Sequence, residues 1–335
     1  MGTSVTPRYF LPWWSSDYVW KEWKVADDMA KNPAWHKAYL WQFMPDLLDG
    51  ILVSRMAVSP KRISTLRQTL NFNGIIIGDS GAHSYRKEDE PPFSCEDILE
   101  FYAKGEFNYG MTLDMVASPW VRAGGLTDSE LERRLKVTLI NAERCLELQD
   151  KHKYPFELLG VVQGWDVQSY RRCARELLQM GFTYLAIAGQ RKISMLKDSI
   201  LAIKQEIQEI NRSVKIHVLG TGSPQILDFY VAQGITSFDS ATWFRQAWMS
   251  GQHNYFMVNN IQHTSYRATR IGLGDFEASK LEWNTEVICP CPICQAVGQQ
   301  ILMLRGHERN TRRGFHNVYQ YIQLLNNHRM KSKKF

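Results

Sequence analysis

The sequence predicts an α/β fold: a closed (β/α)8 barrel of the TIM type with a C-terminal zinc-binding subdomain. Three observations lead there. Eight short runs rich in apolar and β-branched residues recur between positions 8 and 243, helical patterns separate most of them, and 335 residues suffice for eight such units. Most of the runs are continuously apolar rather than alternating, as in strands buried on both faces of a parallel sheet.

In chain order the expected strands are Arg8–Trp14, Gly50–Arg55, Gly74–Ser80, Tyr109–Met115, Phe156–Gln163, Tyr184–Gly189, Lys215–Thr221 and Ser237–Trp243. Ser94–Lys104 reads as a helix because it opens on serine and places Glu96 and Asp97 in its first turn, where they complement the free amides and the dipole. Thr127–His152 begins Thr-Asp-Ser-Glu and repeats Leu131, Leu135, Leu139, Ala142 and Leu146 near the helical period. Asp166–Met180 stops at Gly181, a residue suited to the left-handed C-terminal cap. Ser194–Asn211 and Ser223–Gln233 complete the set, the latter ending before Gly234. An open doubly wound sheet is the alternative, but no GxGxxG turn follows the first strand. The rhythm changes near Arg245, so residues 1–250 are expected to form the barrel and 251–335 an elaboration packed on it.

Hydrophobic residues make up 44% and charged residues 22% of the chain, enough to build a sizeable core. That excludes a disordered tail, a collagen-like repeat and a small disulfide scaffold. No run reaches the ~18–20 apolar residues of a membrane span. Met1–Trp14 shows no basic start followed by a long apolar stretch, so a cytoplasmic protein without a membrane partner is expected. The net charge is +6, and it is concentrated: residues 305–335 hold Arg305, Arg309, Arg312, Arg313, Arg329, Lys331, Lys333 and Lys334 against the single acid Glu308. A near-neutral body with a basic end suits a polyanion; a solvated, frayed terminus is the plainer reading.

In a barrel the chemistry sits where the strands end. Those positions offer Asp79-Ser80-Gly81, Asp114, Gln163-Gly164, Gly189 and Asp239-Ser240. One aspartate at a strand end is commonly a cap. Three at one mouth suit acid and nucleophile roles, because like charges in a low-dielectric cleft push their pKa values apart. A carboxylate pair fits glycosidic chemistry, one attacking the sugar carbon and one managing the leaving group's proton. A metal-dependent hydrolase needs histidines at strand ends. Only His83, just past a strand, and His217, inside one, are near, and His217 between Ile216 and Val218 reads as a hydrogen-bonded structural residue.

Of the six cysteines, three fall in Cys289-Pro-Cys291-Pro-Ile-Cys294, the others being Cys95, Cys145 and Cys173. Thiolates spaced two and three residues apart can grip one Zn²⁺, and the prolines stiffen the turn. A tetrahedral site needs a fourth ligand, for which His307 and His316 are both in range. Such a closed site would be structural.

These pieces, in this order, resemble the tRNA-guanine transglycosylase superfamily, zinc-bearing (β/α)8 enzymes that exchange guanine in nucleic acid for a 7-deazaguanine. The matching segments are Gly78–Gly81, Asp114, Val161–Gly164, Leu185–Gly189, Leu219–Pro224, Phe238–Asp239, Arg245, the cysteine array and Phe315-His316-Asn317 with the Tyr-Ile-Gln-Leu-Leu beyond it. The resemblance implies Asp239 as nucleophile on the sugar C1′ and Asp79 as general acid/base. It implies Asp114 and Gln163 as readers of the base, with the backbone of Gly189 assisting. Ser80, His83, Gly164 and Arg245 are further substrate-binding positions, and His316 becomes the fourth zinc ligand.

Two departures sharpen it. Ser-Ala-Thr-Trp-Phe-Arg245 follows Asp239 where tRNA enzymes of the family have Cys-Val-x-Pro-Thr-Arg, and Ala82-His83 stands where a glycine and an aromatic are usual, so any base stacking falls to the imidazole. Phe238-Asp239-Ser240, Arg-Gln-Ala and His253-Asn254-Tyr255 are more similar to the DNA-modifying branch, which inserts 7-cyano-7-deazaguanine. The implied partners are DNA, with tRNA as the alternative, and the free 7-deazaguanine base; a helper subunit that opens the duplex is compatible with them. A non-catalytic nucleic-acid-binding subunit is the rival reading, against which stands the presence of both Asp79 and Asp239. Trp243 and Trp248 are candidates to stack on exposed bases.

Overall fold

The structure, a computed structural model, describes residues 6–20, 37–188, 190, 192–249, 255–256, 289–297, 301 and 307–332. The described strands, numbered along the chain, are β1 (Arg8–Trp13), β2 (Val19–Trp20), β3 (Lys37–Ala38), β4 (Gly50–Ser54), β5 (Ile75–Asp79), β6 (Tyr109–Met111), β7 (Glu157–Val162), β8 (Tyr184–Ile187), β9 (Lys215–Val218) and β10 (Ser237–Asp239). The described helices are α1 (Leu40–Phe43), α2 (Leu66–Leu70), α3 (Cys95–Lys104), α4 (Asp128–His152), α5 (Val167–Met180), α6 (Ile193–Glu209), α7 (Pro224–Ala232), α8 (Thr242–Arg245), α9 (Pro292–Val297) and α10 (His307–Ser332). Among the described residues no helix is long and apolar enough to cross a membrane.

The chain divides into two compact units, Met1–Trp14 with Asp49–Ser240, and Ser15–Leu48 with Ala241–Phe335. The division therefore falls ten residues before the expected boundary at 250, and residues 15–48 group with the C-terminal segment. The reason is local. The last barrel strand stops at Asp239 instead of running to Trp243, because Thr242–Arg245 turns into a helix. Its aromatic side chains then serve the second unit: Phe244 stacks on Phe315 at 5.8 Å and Trp243 on Tyr321 at 4.8 Å.

In the first unit, eight strands close in the order β1-β10-β9-β8-β7-β6-β5-β4, every neighbouring pair parallel. This is the predicted (β/α)8 barrel. Its interior is packed with Phe10, Leu52, Ile77, Met111, Leu159, Val161, Tyr184 and Ala186. Large side chains of this kind stabilise by roughly 1.5–3 kcal/mol each on full burial. The helix starts are those the sequence marks. The side chains of Ser94, Thr127 and Asp166 each accept an amide hydrogen bond from the third residue of their helix, as capping boxes, worth about 1 kcal/mol apiece. Gly181 closes α5 at φ 103°, in the left-handed region. Because all eight strands run the same way, Asp79, Asp114, Gln163 and Asp239 come out at one end of the barrel.

The second unit holds the antiparallel pair β2–β3 with α1, α8, α9 and the long α10. The buried face of α10 runs through Thr311, Phe315, Val318, Tyr321 and Leu325. It also takes in Arg312 and Arg313, 1% and 5% exposed, the latter donating to the Ile301 carbonyl at 2.9 Å. These two arginines of the basic segment are thus interior groups of the unit, not part of a solvated polyanion-binding face, because a helix this long must bury one stripe. Arg305, Lys333 and Lys334, and the side chains of Arg309, Arg329 and Lys331, lie outside the described residues.

Candidate active site

Asp239 ends β10 and is 5% exposed. Its Oδ1 accepts from the Gly220 amide at 3.0 Å and lies 3.1 Å from His217 Nε2. The register that pairs Ser237 with His217 brings the imidazole beside the carboxylate. Tyr9 and Tyr230 flank the site, donating to the carbonyls of Ser240 and Thr221. Burial, and then the Asp239 charge, push both phenols well above the ordinary tyrosine range, so they stay protonated.

Asp79 ends β5, in register with Ser54 of β4. Its Oδ2 accepts from the Gly81 amide at 3.1 Å, a turn that needs φ 88° at Gly81 and therefore favours glycine. Burial pushes the Asp79 carboxyl up to about 7, and the charges of Asp114 and Asp239 push in the same direction against the pull of the Gly81 and Ser54 hydrogen bonds. Asp79 and Asp239 close β5 and β10, and Asp114 follows β6, so the parallel strands bring the three carboxyls to the same end of the barrel.

Asp114, 4% exposed, accepts from Ser80 Oγ at 2.6 Å and from Gln163 Nε2 at 2.7 Å. Gln163 Oε1 in turn accepts from the Ala117 amide at 3.3 Å. Tyr85 donates to the Asp114 carbonyl at 2.9 Å and lies 3.1 Å from Ser80 Oγ. Ser80 and Gln163 are thus held to the carboxylate as one network. Each carboxylate oxygen keeps a second lone pair for an incoming N–H. Burial pushes Asp114 above the usual carboxylate range, against the pull of Ser80 and Gln163.

The remaining expected positions divide. Gly164 is a packing requirement: a Cβ there would stand 2.7 Å from the Tyr170 amide nitrogen. His83 is exposed, its ring 6.0 Å from that of Trp120 at 38°. Arg245 belongs to the second unit, where it pairs with buried Asp17 at 2.7 Å and lies over the Phe244 ring. Trp243 and Trp248 have aromatic partners in that unit, Trp243 against Tyr321 and Phe256, Trp248 against Phe244. Gly189, and His253-Asn254, lie outside the described residues.

The sequence did not single out Tyr85, Tyr184, Ser237 or the Gly220 amide; it read His217 as a hydrogen-bonded structural residue, and the ring does lie buried between Ser237 and Asp239. The signal for its inward direction is alternation. Ile216 and Val218 occupy one face of β9, so His217 points the other way, into the barrel two residues below its mouth.

In the second unit, Sγ of Cys289, Cys291 and Cys294 and a ring nitrogen of His316 lie within 4.8 Å of one another, all buried. His316 Nε2 donates to the Phe256 carbonyl at 2.5 Å, which leaves Nδ1 facing Cys291 and Cys294 at 3.5 and 3.2 Å. Amides of Cys291 and Cys294 and the Gln320 side chain donate to the sulfurs. Three sulfurs, one imidazole nitrogen and a hydrogen-bonded outer shell fit a closed tetrahedral Zn²⁺ site, which would fasten α9 to α10. His307 is not the fourth ligand; its Nε2 lies 2.8 Å from the Ser16 carbonyl.

Residues 60–333 match the family described as queuine tRNA-ribosyltransferase. The chain belongs to this family. It is accordingly a guanine transglycosylase, an enzyme of the pentosyltransferase class.

Among family relatives, the DNA-guanine transglycosylase of Salmonella montevideo is 27% identical, the alignment covering 84% of this chain and 86% of that protein. The tRNA-guanine(15) transglycosylase of Methanococcus aeolicus is 24% identical over 78% of this chain but 37% of its own length. That of Nanoarchaeum equitans is 28% identical over 52% of this chain and 41% of its own length. The chain thus spans well under half of either archaeal relative.

Proposed function

We propose that the protein exchanges guanine in DNA for a 7-deazaguanine, namely the 7-cyano-7-deazaguanine implied by the resemblance of Phe238-Asp239-Ser240 to the DNA-modifying branch, through a covalent aspartyl–sugar intermediate. The observation that supports this is the parallel barrel that ends β5 on Asp79 and β10 on Asp239 at one mouth, with Oδ1 of Asp239 tied down by His217 and the Gly220 amide. DNA is favoured over tRNA because likeness to the Salmonella DNA enzyme extends over most of both chains. With the archaeal tRNA enzymes it covers a minor part of theirs.

The target guanosine leaves the stack at a cost of a few kcal/mol. Asp239 attacks C1′; the C1′–N9 bond breaks, its electron pair passing to the base, which takes the proton of Asp79. This leaves a sugar ester on Asp239, guanine and an ionised Asp79. The incoming 7-deazaguanine gives its N9 proton to Asp79 and attacks C1′, the ester oxygen departs and the carboxylate is restored. Two inversions give net retention. Asp114 and Gln163 hold the base, the carboxylate accepting from the N1–H and amino edge. Zn²⁺, when bound at Cys289, Cys291, Cys294 and His316, supplies cross-linking of the second unit and takes no part in these steps.

Incubation with radiolabelled guanine and either duplex DNA or tRNA tests the proposal. Label is expected in DNA. Entry into tRNA alone would overturn the choice of nucleic acid, and entry into neither, with single-stranded DNA also offered to remove any need for a helper, would favour a non-catalytic subunit.

The Asp79 assignment has its own pH signature. Folded Asp79 keeps its proton to about 7, whereas the unperturbed group loses it near 3.8. Its contribution to stability is therefore fully present below about pH 4 and lost as pH rises through 7, opposite to an ion-paired aspartate. Asp79→Asn should melt higher than the wild type at pH 8, with the gap shrinking by pH 4.5. A gap of the same size at both values would refute the raised pKa. In activity, first-step cleavage should fall above pH 7 as the acid form disappears.

A further inference from the structure

A buried polar relay runs behind Asp239. Tyr184 of β8 and Ser237 of β10 are joined at 2.7 Å between hydroxyls, Ser237 Oγ lies 2.8 Å from His217 Nδ1, and His217 Nε2 lies 3.1 Å from Asp239 Oδ1. Tyr184, Ser237 and His217 are all 0% exposed, and the ring of Phe10 packs edge-on against the imidazole at 6.1 Å. Such a chain within a barrel otherwise filled by apolar side chains demands a reason, since buried polar groups stabilise only when all are satisfied.

The donor directions follow from the ends. A carboxylate only accepts, so Nε2 carries the proton. Burial pushes the Tyr184 phenol up to about 12, so it keeps a proton to donate to Ser237, whose own hydroxyl hydrogen is then available for Nδ1. Every group in the chain is satisfied in this sense. At its end, Oδ1 of Asp239 accepts from both His217 and the Gly220 amide. Among the described residues no hydrogen bond reaches Oδ2.

We propose that His217 is a positioning residue that, held by Ser237 and Tyr184, clamps Asp239 Oδ1 and so selects Oδ2 as the atom that attacks the sugar. This rests on the reading of Asp239 as nucleophile. The clamp costs Oδ2 little of its charge while fixing its direction toward C1′. A loss of aim of about 1 Å in such a site costs on the order of 10²-fold in rate. The base-reading groups, Asp114 and Gln163, hang from other strands and do not touch this relay.

The test uses the full-length zinc-loaded protein, with labelled-guanine incorporation into single-stranded DNA and tRNA as the kinetic readout. His217→Phe should lower kcat by about 10²-fold and leave the KM for guanine within about twofold. His217→Gln, whose amide nitrogen can take the place of Nε2, should recover to within about tenfold of the wild type, and Ser237→Ala should lose about tenfold. Melting temperature checks that each variant is folded; if His217→Phe is not, Ser237→Ala and His217→Gln carry the kinetic comparison.

Nitrogen NMR of histidine-labelled protein provides a readout without turnover. The His217 signal, identified by its absence in His217→Gln, should report a protonated Nε2 and should shift in Asp239→Asn. A proton found on Nδ1 alone, or kcat unchanged in folded His217 and Ser237 variants, would overturn the clamp. Retained activity in Asp239→Asn would instead defeat the nucleophile assignment, and the NMR result would still stand by itself.

Discussion

Asp239→Asn is expected to abolish base exchange, with a loss of about 10⁴-fold or more, and to abolish any covalent protein–nucleic-acid complex that forms when free base is withheld. The size follows from chemistry: the amide has no anionic oxygen to form the ester, and deleting a nucleophile removes a pathway rather than weakening one. The change is nearly isosteric. Asn Oδ1 can still accept from His217 and the Gly220 amide, which hold Oδ1 now at 3.1 and 3.0 Å, so the melting temperature should move little. Exchange and trapping would therefore fail in a folded protein. A variant that exchanges guanine at more than about 1% of the wild-type rate, with deamidation excluded by mass, would refute the assignment.

The second large effect concerns the metal. Purified protein should carry about one zinc per chain, and Cys291→Ser or His316→Ala should lose it. Structural zinc contributes on the order of 10 kcal/mol to small metal-dependent folds, so even a fraction of that should lower the melting temperature by 10 °C or more. The damage should be local. Cys289, Cys291, Cys294 and His316 join α9 to α10 in the second unit, whereas the barrel core is closed by its own strands. Hydrogen exchange after chelation should accelerate in α10 and leave β7 and β8 protected. A chelated protein with unaltered exchange in α10 would show that the four residues are not a structural metal site.

Much of this was legible in the sequence because the signals are local and redundant. A parallel barrel strand is buried on both faces, so each appears as an apolar run. Ser94, Thr127 and Asp166 announce helix starts that the structure reproduces to within a residue. The cysteine spacing alone brings three thiols together.

What the sequence hid depends on tertiary neighbours. Trp243 reads as the end of a strand but lies in a helix, with its ring stacked on Tyr321, far along the chain. Arg312 and Arg313 looked like surface charge until α10 acquired a buried stripe. Which histidine joins the three cysteines could not be chosen by spacing, since His307 and His316 both reach; His316 lies in the cluster, and the Ser16 carbonyl takes His307. His217 was ambiguous for a similar reason: an inward polar residue on a strand becomes meaningful only when Ser237 is seen on one side of its ring and Asp239 on the other.

The most direct measurement is peptide mapping of the covalent complex. Protein and guanosine-containing single-stranded DNA would be held without added base, quenched in denaturant, digested with nuclease and protease, and read by mass spectrometry. A pentose-bearing adduct on the peptide that contains Asp239, discharged by adding 7-cyano-7-deazaguanine, is the result expected here. An adduct on any other carboxylate, Asp79 included, or steady exchange with no adduct at all, would contradict it.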